Sequence, residues 1–444
     1  MQTSINSRPK SNIKINTANT RPGQINSTNN EILLTKYKDL FELFNKFIQR
    51  IPQQTLSKAA FECKAYCRSL MHYELHMRNT PGAIQIQGSN INIKQCHLIE
   101  LQNLYASMEE IDAASGILLL KKGSEESLAD AAFRHKINGR LNESIACIEQ
   151  MLESNENAKN DIRQHETYVR TFISIGRHRN ALSYLEGLMI DRAEWKEALD
   201  SYRIEACWKL GSWDKLKQVV NSENKIKLND SNLGSVELNS TKELFNVSER
   251  AYSVNSFNAG IGKLFTLVAE RNENEFNKTL CVLREQQIVP LSAVSMEAGG
   301  SSYQRGYEYV VKLQALQEIE SCLGEMLRLR NDTTEKEQYR NLLMKNLDSY
   351  LIEPWEHKIL TMQPSFKHLE PIYNVRIALL NFLSYNLDIN LTKHLANLWL
   401  RLAKIARKAG MFENAYQYML NAQGQIKPSD SNNLEELLVE KSKW

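Results

Sequence analysis

Two cysteines and two histidines, Cys63, Cys67, His72 and His76, are the first residues whose types could bind a metal ion. Structural zinc sites take their ligands in two pairs that lie about a dozen residues apart, whereas only four residues separate the two pairs here. On one continuous helix through 55–79, Cys67 and His72 would also lie about 140° apart around the axis. The spacing therefore predicts core thiols and an exposed pair of histidines, and no metal site.

A catalytic motif is absent from the rest of the sequence. Gly260-Ile-Gly262-Lys263 comes nearest to a phosphate-binding loop, but it lacks a third glycine, a following Ser or Thr and a preceding strand. Neither the HRD nor the DFG motif of a protein kinase occurs, and there is no nucleophile-elbow serine. The chain is therefore predicted to carry no catalytic residue, cofactor or metal of its own.

Tyr303, Arg305, Tyr307 and Glu308 form a first candidate surface for packing or docking, near the start of a predicted long helix. Apolar residues on two sides of this helix predict that it is covered from two directions. Arg305, Glu308 and Lys312 follow one another at i, i+3 and i+7, so their charges could pair. The pattern favours a buried helix with local ion pairs, and a face docked on another element is the alternative.

A second candidate surface is a basic strip formed by Arg401, Lys404 and Lys408, again at i, i+3 and i+7. Such a strip could bind DNA phosphates or an acidic partner, although a solvated outer helix face is favoured. The 55 Lys and Arg residues nearly balance 52 Asp and Glu residues, which leaves a net charge of only +3. This balance gives no global footprint for nucleic acid, so any DNA contact is expected to be indirect.

The composition is that of an intracellular, foldable chain. With 444 residues, of which 42% are hydrophobic, the chain can bury a large interior. The polar N-terminus does not resemble a signal peptide, and no apolar run reaches the 18 or so residues of a membrane span. Seven cysteines without a disulfide-like framework suit a reducing compartment.

An internal repeat indicates the architecture. Gly139, Gly176, Gly211 and Gly410 are each followed by a bulky residue two positions on and a mostly small residue three further on. The first three glycines are 37 and 35 residues apart, close to the 34-residue tetratricopeptide period. Glycine permits the sharp turn between antiparallel helices, and the small residue lets the helices approach closely. The predicted fold is all-α, an alpha-solenoid of helical hairpins with tetratricopeptide-like or HEAT-like repeats.

The chain divides into two predicted regions. Residues 1–30 are polar and nearly free of large apolar residues, which predicts a disordered tail, and residues 31–444 form the helical-repeat region. Mobile connections are expected near 221–241 and 329–337. Pro290, with Gly299 and Gly300, is predicted to interrupt the chain before a helix that begins at about Ser301. Pro354, Pro364 and Pro371 are predicted to cut the later segment into short pieces.

Two fixed blocks carry a family resemblance: QIVPLSA at 287–293 and SYQRGYEYVVKL at 302–313. Weaker similarity extends through IPQQTLSKAAFECKAYCRSLMHYE, EWKEALDSYRIEACWKLGSWD and LRLAKIARKAG. These blocks resemble the FAT region of ATR-like checkpoint kinases, which are serine/threonine kinases of the phosphatidylinositol-3-kinase-related family. The resemblance covers roughly Glu31 to Trp444.

The resemblance implies a non-catalytic alpha-solenoid that wraps and regulates a kinase domain, in a nuclear complex that responds to damaged or stalled DNA. It implies the ATR-interacting protein and checkpoint activators as partners, with ATP and Mg²⁺ bound in the kinase domain of the parent protein. In the resembled family the repeats continue towards that domain, so a fragment of a longer protein is expected. A free-standing tetratricopeptide-like adaptor that binds peptides is the alternative, and no membrane partner is expected.

Overall fold

A computed structural model describes residues 51–87, 90–121, 127–221, 254–296, 300–328, 345–427 and 430–443, with scattered helical positions in 37–50 and 337–341. The predicted tail at 1–30, and most of both predicted mobile connections, lie outside the described residues. Contacts divide the chain into two compact units, Met1–Thr55 and Leu56–Trp444. The packing described below lies in the second unit.

Helices joined by short turns make up nearly all of the described chain. The first half contains α1 Gln53–Glu62, α2 Tyr66–Asn79, α3 Gln95–Ser107, α4 Ile111–Leu120, α5 Leu128–Ile137, α6 Leu141–Ser154, α7 Glu156–Lys159, α8 Ile162–Ser174, α9 His178–Asp191 and α10 Lys196–Leu210. The second half contains α11 Val254–Ala269, α12 Glu273–Ser295, α13 Gly300–Arg328, α14 Glu353–Thr361, α15 Phe366–Leu387, α16 Thr392–Lys408, α17 Phe412–Gln425 and α18 Ser431–Lys443. The all-α prediction is confirmed.

Short segments of other structure accompany the helices. Ala193–Trp195 is a 3₁₀ turn, Asp348–Ile352 is a π-helical segment that leads into α14, and residues 213–221 are helical. Two four-residue strands, β1 Ile84–Gln87 and β2 Asn90–Ile93, form an antiparallel hairpin in which Ile84 pairs with Ile93.

Seven turns in the described residues share one backbone geometry, and four of them are at the predicted glycines. In each turn, one residue takes a left-handed φ; these residues are Lys64, Glu109, Gly139, Gly176, Gly211, Arg271 and Gly410, with φ between 56° and 84°. The amide of the left-handed residue donates to the carbonyl three residues earlier, and the next amide donates to the carbonyl five residues before itself. This is the Schellman motif, which satisfies the last carbonyls of a helix. The repeated hairpin is therefore more frequent than the glycines indicated.

Each of these turns brings two buried residues together at fixed positions. Seven residues before the left-handed residue stand Ser57, Gln102, Ala132, Val169, Ile204, Leu264 and Ala403, which are at most 6% exposed. Five residues after it stand Ser69, Ala114, Ser144, Ala181, Leu216, Phe276 and Ala415, which are at most 1% exposed. In the two hairpins with serines, hydroxyl groups bridge the helices: Ser69 Oγ donates to the Ser57 carbonyl at 2.8 Å, and Ser144 Oγ donates to the Ala132 carbonyl at 2.9 Å. The two helices of a hairpin therefore pack against each other at this crossing.

Pro354 lies in the first turn of α14 and Pro364 lies just before α15, as predicted, but the breaks predicted at Pro290 and Pro371 are wrong. Pro290 lies inside α12 and Pro371 lies inside α15, and neither helix ends there. Burial explains this outcome, because Pro290 and the flanks of Pro371 pack against other helices, and tertiary packing outweighs the loss of one backbone hydrogen bond. The helix expected to begin at about Ser301 does so, starting at Gly300.

Helices from the two halves of the described chain also contact each other. In a simple repeat array, each repeat contacts only its neighbours. Residues 372–380 of α15 are buried without interruption, so α15 is surrounded by other helices. Turn residues from the first half lie against it: a Cβ on Gly211 would lie 3.7 Å from Asn381, and Asp214 accepts a hydrogen bond from Tyr385 at 2.8 Å. The largest core cluster accordingly extends from Leu182 to Leu437.

Candidate functional site

The first half of α13 holds the first candidate surface, and its four residues have different environments. Arg305 is only 8% exposed, and its guanidinium donates to Cys67 Sγ at 3.3 Å. Tyr307 is half-buried, and its hydroxyl oxygen accepts the Gln363 amide at 2.9 Å. Tyr303 is 69% exposed, so the prediction that α13 is covered from two directions is wrong at its start. The part of α13 that is covered joins α2 to the segment before α15.

Glu308 forms the centre of an ion-pair chain on this surface. Lys312 pairs with it at 2.7 Å, as its i, i+4 spacing allows, and Lys367 of α15 lies 3.9 Å away and also pairs with Glu109. Burial by itself would raise the pKa of Glu308, but the charge and hydrogen bond of Lys312, with Lys367 and His368, hold that pKa below its ordinary value. The carboxylate is therefore ionised and links α13 to α15.

A cleft of about 130 Å³ opens beside these residues. It lies between α13, α12 and the left-handed turns at Lys64 and Glu109, and it is lined by Arg305, Glu308 and Lys312. Residues that are up to 248 positions apart in the sequence thus meet in one place. Of the residues proposed from the sequence, Arg305 and Glu308 line this cleft, while Tyr303 and Tyr307 do not.

A fully buried ion pair was not found from the sequence. Arg376 of α15 donates two hydrogen bonds, at 2.8 and 2.7 Å, to the carboxylate of Glu318 of α13, and the two side chains are 1% and 0% exposed. Gln314 donates a further bond to Glu318 at 3.0 Å, and the guanidinium lies 5.2 Å from the centre of the Trp355 ring. The partners are 58 positions apart in the sequence and have no local pattern that connects them, so only tertiary structure reveals the pair.

The basic strip lies on α16. Arg401 pairs with Glu356 of α14 at 2.8 Å, whereas Lys404 and Lys408 are exposed. His394 of the same helix lies 3.8 Å from Asp348. Carboxylates of α14 and of the π-helical segment therefore face the first part of this α16 surface, whereas Lys404 and Lys408 are exposed and make no ion pair with the carboxylates of the described ranges. Phosphate or acidic-peptide binding at the strip remains a prediction.

The two segments rejected as chemical motifs have structural explanations. Lys64, with its left-handed φ of 62°, separates α1 from α2, so Cys63 and Cys67 are not on one helix. Cys63 is exposed rather than in the core, which corrects that prediction. Gly260 and Gly262 lie inside α11, where a Cβ would meet Leu283 at 2.4 Å and Ile204 at 2.3 Å respectively. The Gly-x-Gly pattern therefore reflects close helix packing.

The described residues hold neither a metal-binding cluster nor a membrane-spanning helix. No three or more His, Cys, Asp or Glu side chains in the described ranges are arranged to hold a metal ion. Among the helices described, none has the length and apolar character needed to cross a membrane.

The fold and these contacts define the class of protein as an α-helical repeat array whose side-chain clusters join distant helices. Comparison with family models agrees, because residues 200–444 match the FAT domain and residues 11–135 match the M-HEAT region of serine/threonine-protein kinase ATR. The FAT match covers more than half of the chain. This protein belongs to the FAT domain family.

Curated relatives point to the same family. Serine/threonine-protein kinase ATR of Arabidopsis thaliana is 25% identical over 404 residues, which is 91% of this chain and 13% of that protein. The ATR of Oryza sativa subsp. indica is 25% identical over 89% of this chain and 13% of its own length. The Drosophila melanogaster ATR is 24% identical over 86% of this chain and 14% of its own length. The chain thus spans about an eighth of the length of these relatives.

Proposed function

We propose that this chain is the non-catalytic helical scaffold of an ATR-like serine/threonine protein kinase, where it packs around the kinase domain and regulates it. The observation that carries the proposal is the FAT match over 200–444, which includes every helix from α11 to α18. The M-HEAT match and the ATR relatives support it independently. The parent protein then supplies ATP and Mg²⁺ binding and the phosphoryl transfer, for which this chain has no motif.

The proposed setting is DNA-damage and replication-checkpoint signalling in the nucleus, with the ATR-interacting protein and checkpoint activators as partners. A regulatory scaffold must transmit a rearrangement from a partner to a distant active site, which requires packed elements that move together. The buried Arg376–Glu318 pair supports such a role, because it joins two long helices by two hydrogen bonds whose loss would leave buried charges unpaired. If partner proteins mediate the contact with DNA, this chain needs no basic surface of its own.

The experiment uses the parent kinase with and without a substitution in this segment. The double variant Arg376→Met with Glu318→Met, which removes the pair without leaving a buried charge unpaired, is expected to lower activator-stimulated phosphorylation of a checkpoint substrate while the basal rate with a saturating peptide changes much less. The exposed-pair variant Lys278→Met provides the control, since Lys278 is 72% exposed. A parent chain without kinase activity, or equal stimulation in both variants, would contradict the proposal. Tight binding of unrelated peptides by this chain alone would favour the adaptor alternative.

A further inference from the structure

The outer edge of strand β1 is open in the part of the chain that the structure describes. β2 contacts α4, and Ile93 at the end of β2 packs against the apolar cluster formed by α2, α3 and α4, whereas β1 has its main contacts with β2. The hairpin is therefore seated on the helices through β2. β1 is the strand farther from that support.

The backbone groups at this edge follow from the strand pairing. The Lys94 amide donates to the Ala83 carbonyl at 3.3 Å, which makes these two residues a bonded pair of the antiparallel ladder. Bonded and non-bonded positions alternate along such a strand, so Gln85 is bonded to β2, whereas Ile84 and Ile86 are not. The amide and carbonyl groups of these two isoleucines therefore point away from β2.

The hairpin lacks most of the features that protect a strand edge from further pairing. Natural sheets protect their edges with charged residues, prolines, bulges or very short strands. Residues 84–93, IQIQGSNINI, contain neither a charged residue nor a proline, and the register shows no bulge. The shortness of β1 is thus its one guard. Uncharged segments that alternate isoleucine with side-chain amides pair readily with further strands.

We propose that the outer edge of β1 binds an extended segment of a partner protein, which adds a third strand to the hairpin. The outward groups of Ile84 and Ile86 are two residues apart, about 6.8 Å along the strand, and an extended backbone presents its own amides and carbonyls at the same spacing. A helix cannot match them, because its backbone groups are already bonded within the helix. Backbone pairing of this kind is an established mode of peptide recognition.

A second copy of this chain is a poor occupant of the edge. Four residues span about 14 Å, so edge pairing alone covers on the order of 150 Å² per copy in a sheet about 10 Å thick. Stable dimers bury about 800 Å² per partner. Four backbone hydrogen bonds, two at each isoleucine, support a dissociation constant of about a millimolar for a free peptide. A segment whose protein is also held elsewhere in the assembly reaches the required effective concentration.

The probe is a synthetic peptide with the sequence of residues 89–95, SNINIKQ, which is already compatible with pairing to β1. Hydrogen exchange of the full chain, resolved by residue with NMR, measures the binding. In the free chain the Gln85 amide should exchange slowly, and the Ile84 and Ile86 amides should exchange fast. Peptide at about five times its dissociation constant should slow both isoleucine amides about sixfold and leave Gln85 unchanged.

A proline substitution tests the edge without breaking the hairpin. Ile86→Pro removes an outward amide and no bond to β2, because proline is tolerated where a strand amide faces solvent. It should weaken peptide binding about tenfold. Ile91→Pro is the matched control, because Ile91 has the equivalent outward position on β2. It should keep the full response, and slow exchange at Gln85 verifies the hairpin in both variants.

Four results would overturn the proposal: no slowing of the isoleucine amides by peptide, an equal loss in the two proline variants, slow isoleucine amides in the free chain, or slowing that depends on protein concentration alone. The third result would mean that another segment of this chain pairs with β1, and the fourth that a second copy does. Slowing in the wild type and in Ile91→Pro, but not in Ile86→Pro, supports a docking edge. The test needs no kinase activity, so its outcome is independent of the proposed scaffold function.

Discussion

Removing one partner of the buried Arg376–Glu318 pair should destabilise the protein far more than removing both. In Arg376→Met, Glu318 keeps only the 3.0 Å hydrogen bond from Gln314 and stays in an environment that is 0% exposed. An uncompensated charge of this kind typically costs about 3–5 kcal/mol. The substitution also removes the guanidinium from the Trp355 ring, which adds up to about 2 kcal/mol when the contact is desolvated.

The double variant Arg376→Met with Glu318→Met should recover most of that loss. Replacing a buried ion pair by apolar residues of similar volume is often neutral or stabilising, because neither charge must then be desolvated. A double-mutant cycle should therefore give a coupling of several kcal/mol, well above the about 0.3–0.5 kcal/mol typical of an exposed helix pair. Lys278→Met with Glu275→Ala supplies that reference, since its partners are 72% and 51% exposed.

Urea unfolding of the full chain, followed by circular dichroism at 222 nm, measures these differences. Equal slopes among the variants are required, because a changed slope means either that the native or unfolded state differs in compactness or that the transition is no longer a single step. A loss below about 1 kcal/mol in Arg376→Met would refute the reasoning, since it would mean that water reaches the pair. Additive losses in the double variant would refute it equally, because the two side chains would then act independently.

Three further outcomes follow from single positions. Gly262→Ala should destabilise the chain by about 1–3 kcal/mol in urea unfolding, because the Cβ of alanine would meet Ile204 at 2.3 Å. This clash should outweigh the better helix propensity of alanine. A gain in stability would show that the helices can separate at no cost. Arg271→Gly should stabilise the chain by about 0.5–1 kcal/mol in the same assay, because φ is 56° there; a loss would show that its side-chain contacts outweigh the strain. Burial, and secondly the charge of Lys209, holds the pKa of His178 well below 6.5 in the folded chain. Just below pH 6.5 the histidine is therefore protonated only in the unfolded chain. The free energy of unfolding then falls as the pH decreases, by at most about 1.4 kcal/mol per pH unit. His178→Gln should reduce that slope in urea titrations between pH 7 and 5, and an unchanged slope would contradict the assignment.

The hairpins could be predicted where glycine marks the turn, and they were missed where another residue takes the same φ. Lys64, Glu109 and Arg271 adopt the backbone of Gly139, yet their side chains gave no signal. A spacing of twelve residues between small or apolar positions would have found the Lys64 and Arg271 turns, because Ser57 pairs with Ser69 and Leu264 with Phe276 at their helix crossings. The Glu109 turn has the polar Gln102 at its crossing and would still have been missed. That signal depends on packing across two helices and not on the propensity of any one residue.

The cleft could be predicted only in part, because its components come from separate hairpins. Arg305 and Glu308 were identified from charge spacing along one helix, and the Glu308–Lys312 ion pair confirms that local inference. Lys64 and Tyr66 belong to a segment that was interpreted as one continuous helix, which would have carried them away from α13. A single left-handed residue redirected the chain, so the position of the cleft depends on a backbone angle that lysine seldom adopts.

Contacts between the turns and α15 change how a displacement would spread through this array. In a simple repeat array each hairpin affects only the next, and a disturbance weakens with every interface that it crosses. Here the Glu109 turn reaches Lys367 and the Gly211 turn reaches Asn381, at two ends of the same helix. A shift of α15 is therefore felt at both turns at once, although about 100 residues separate them in the sequence. Because Arg376 ties α15 to α13 midway between these contacts, the helices on both sides must move together or break a buried ion pair.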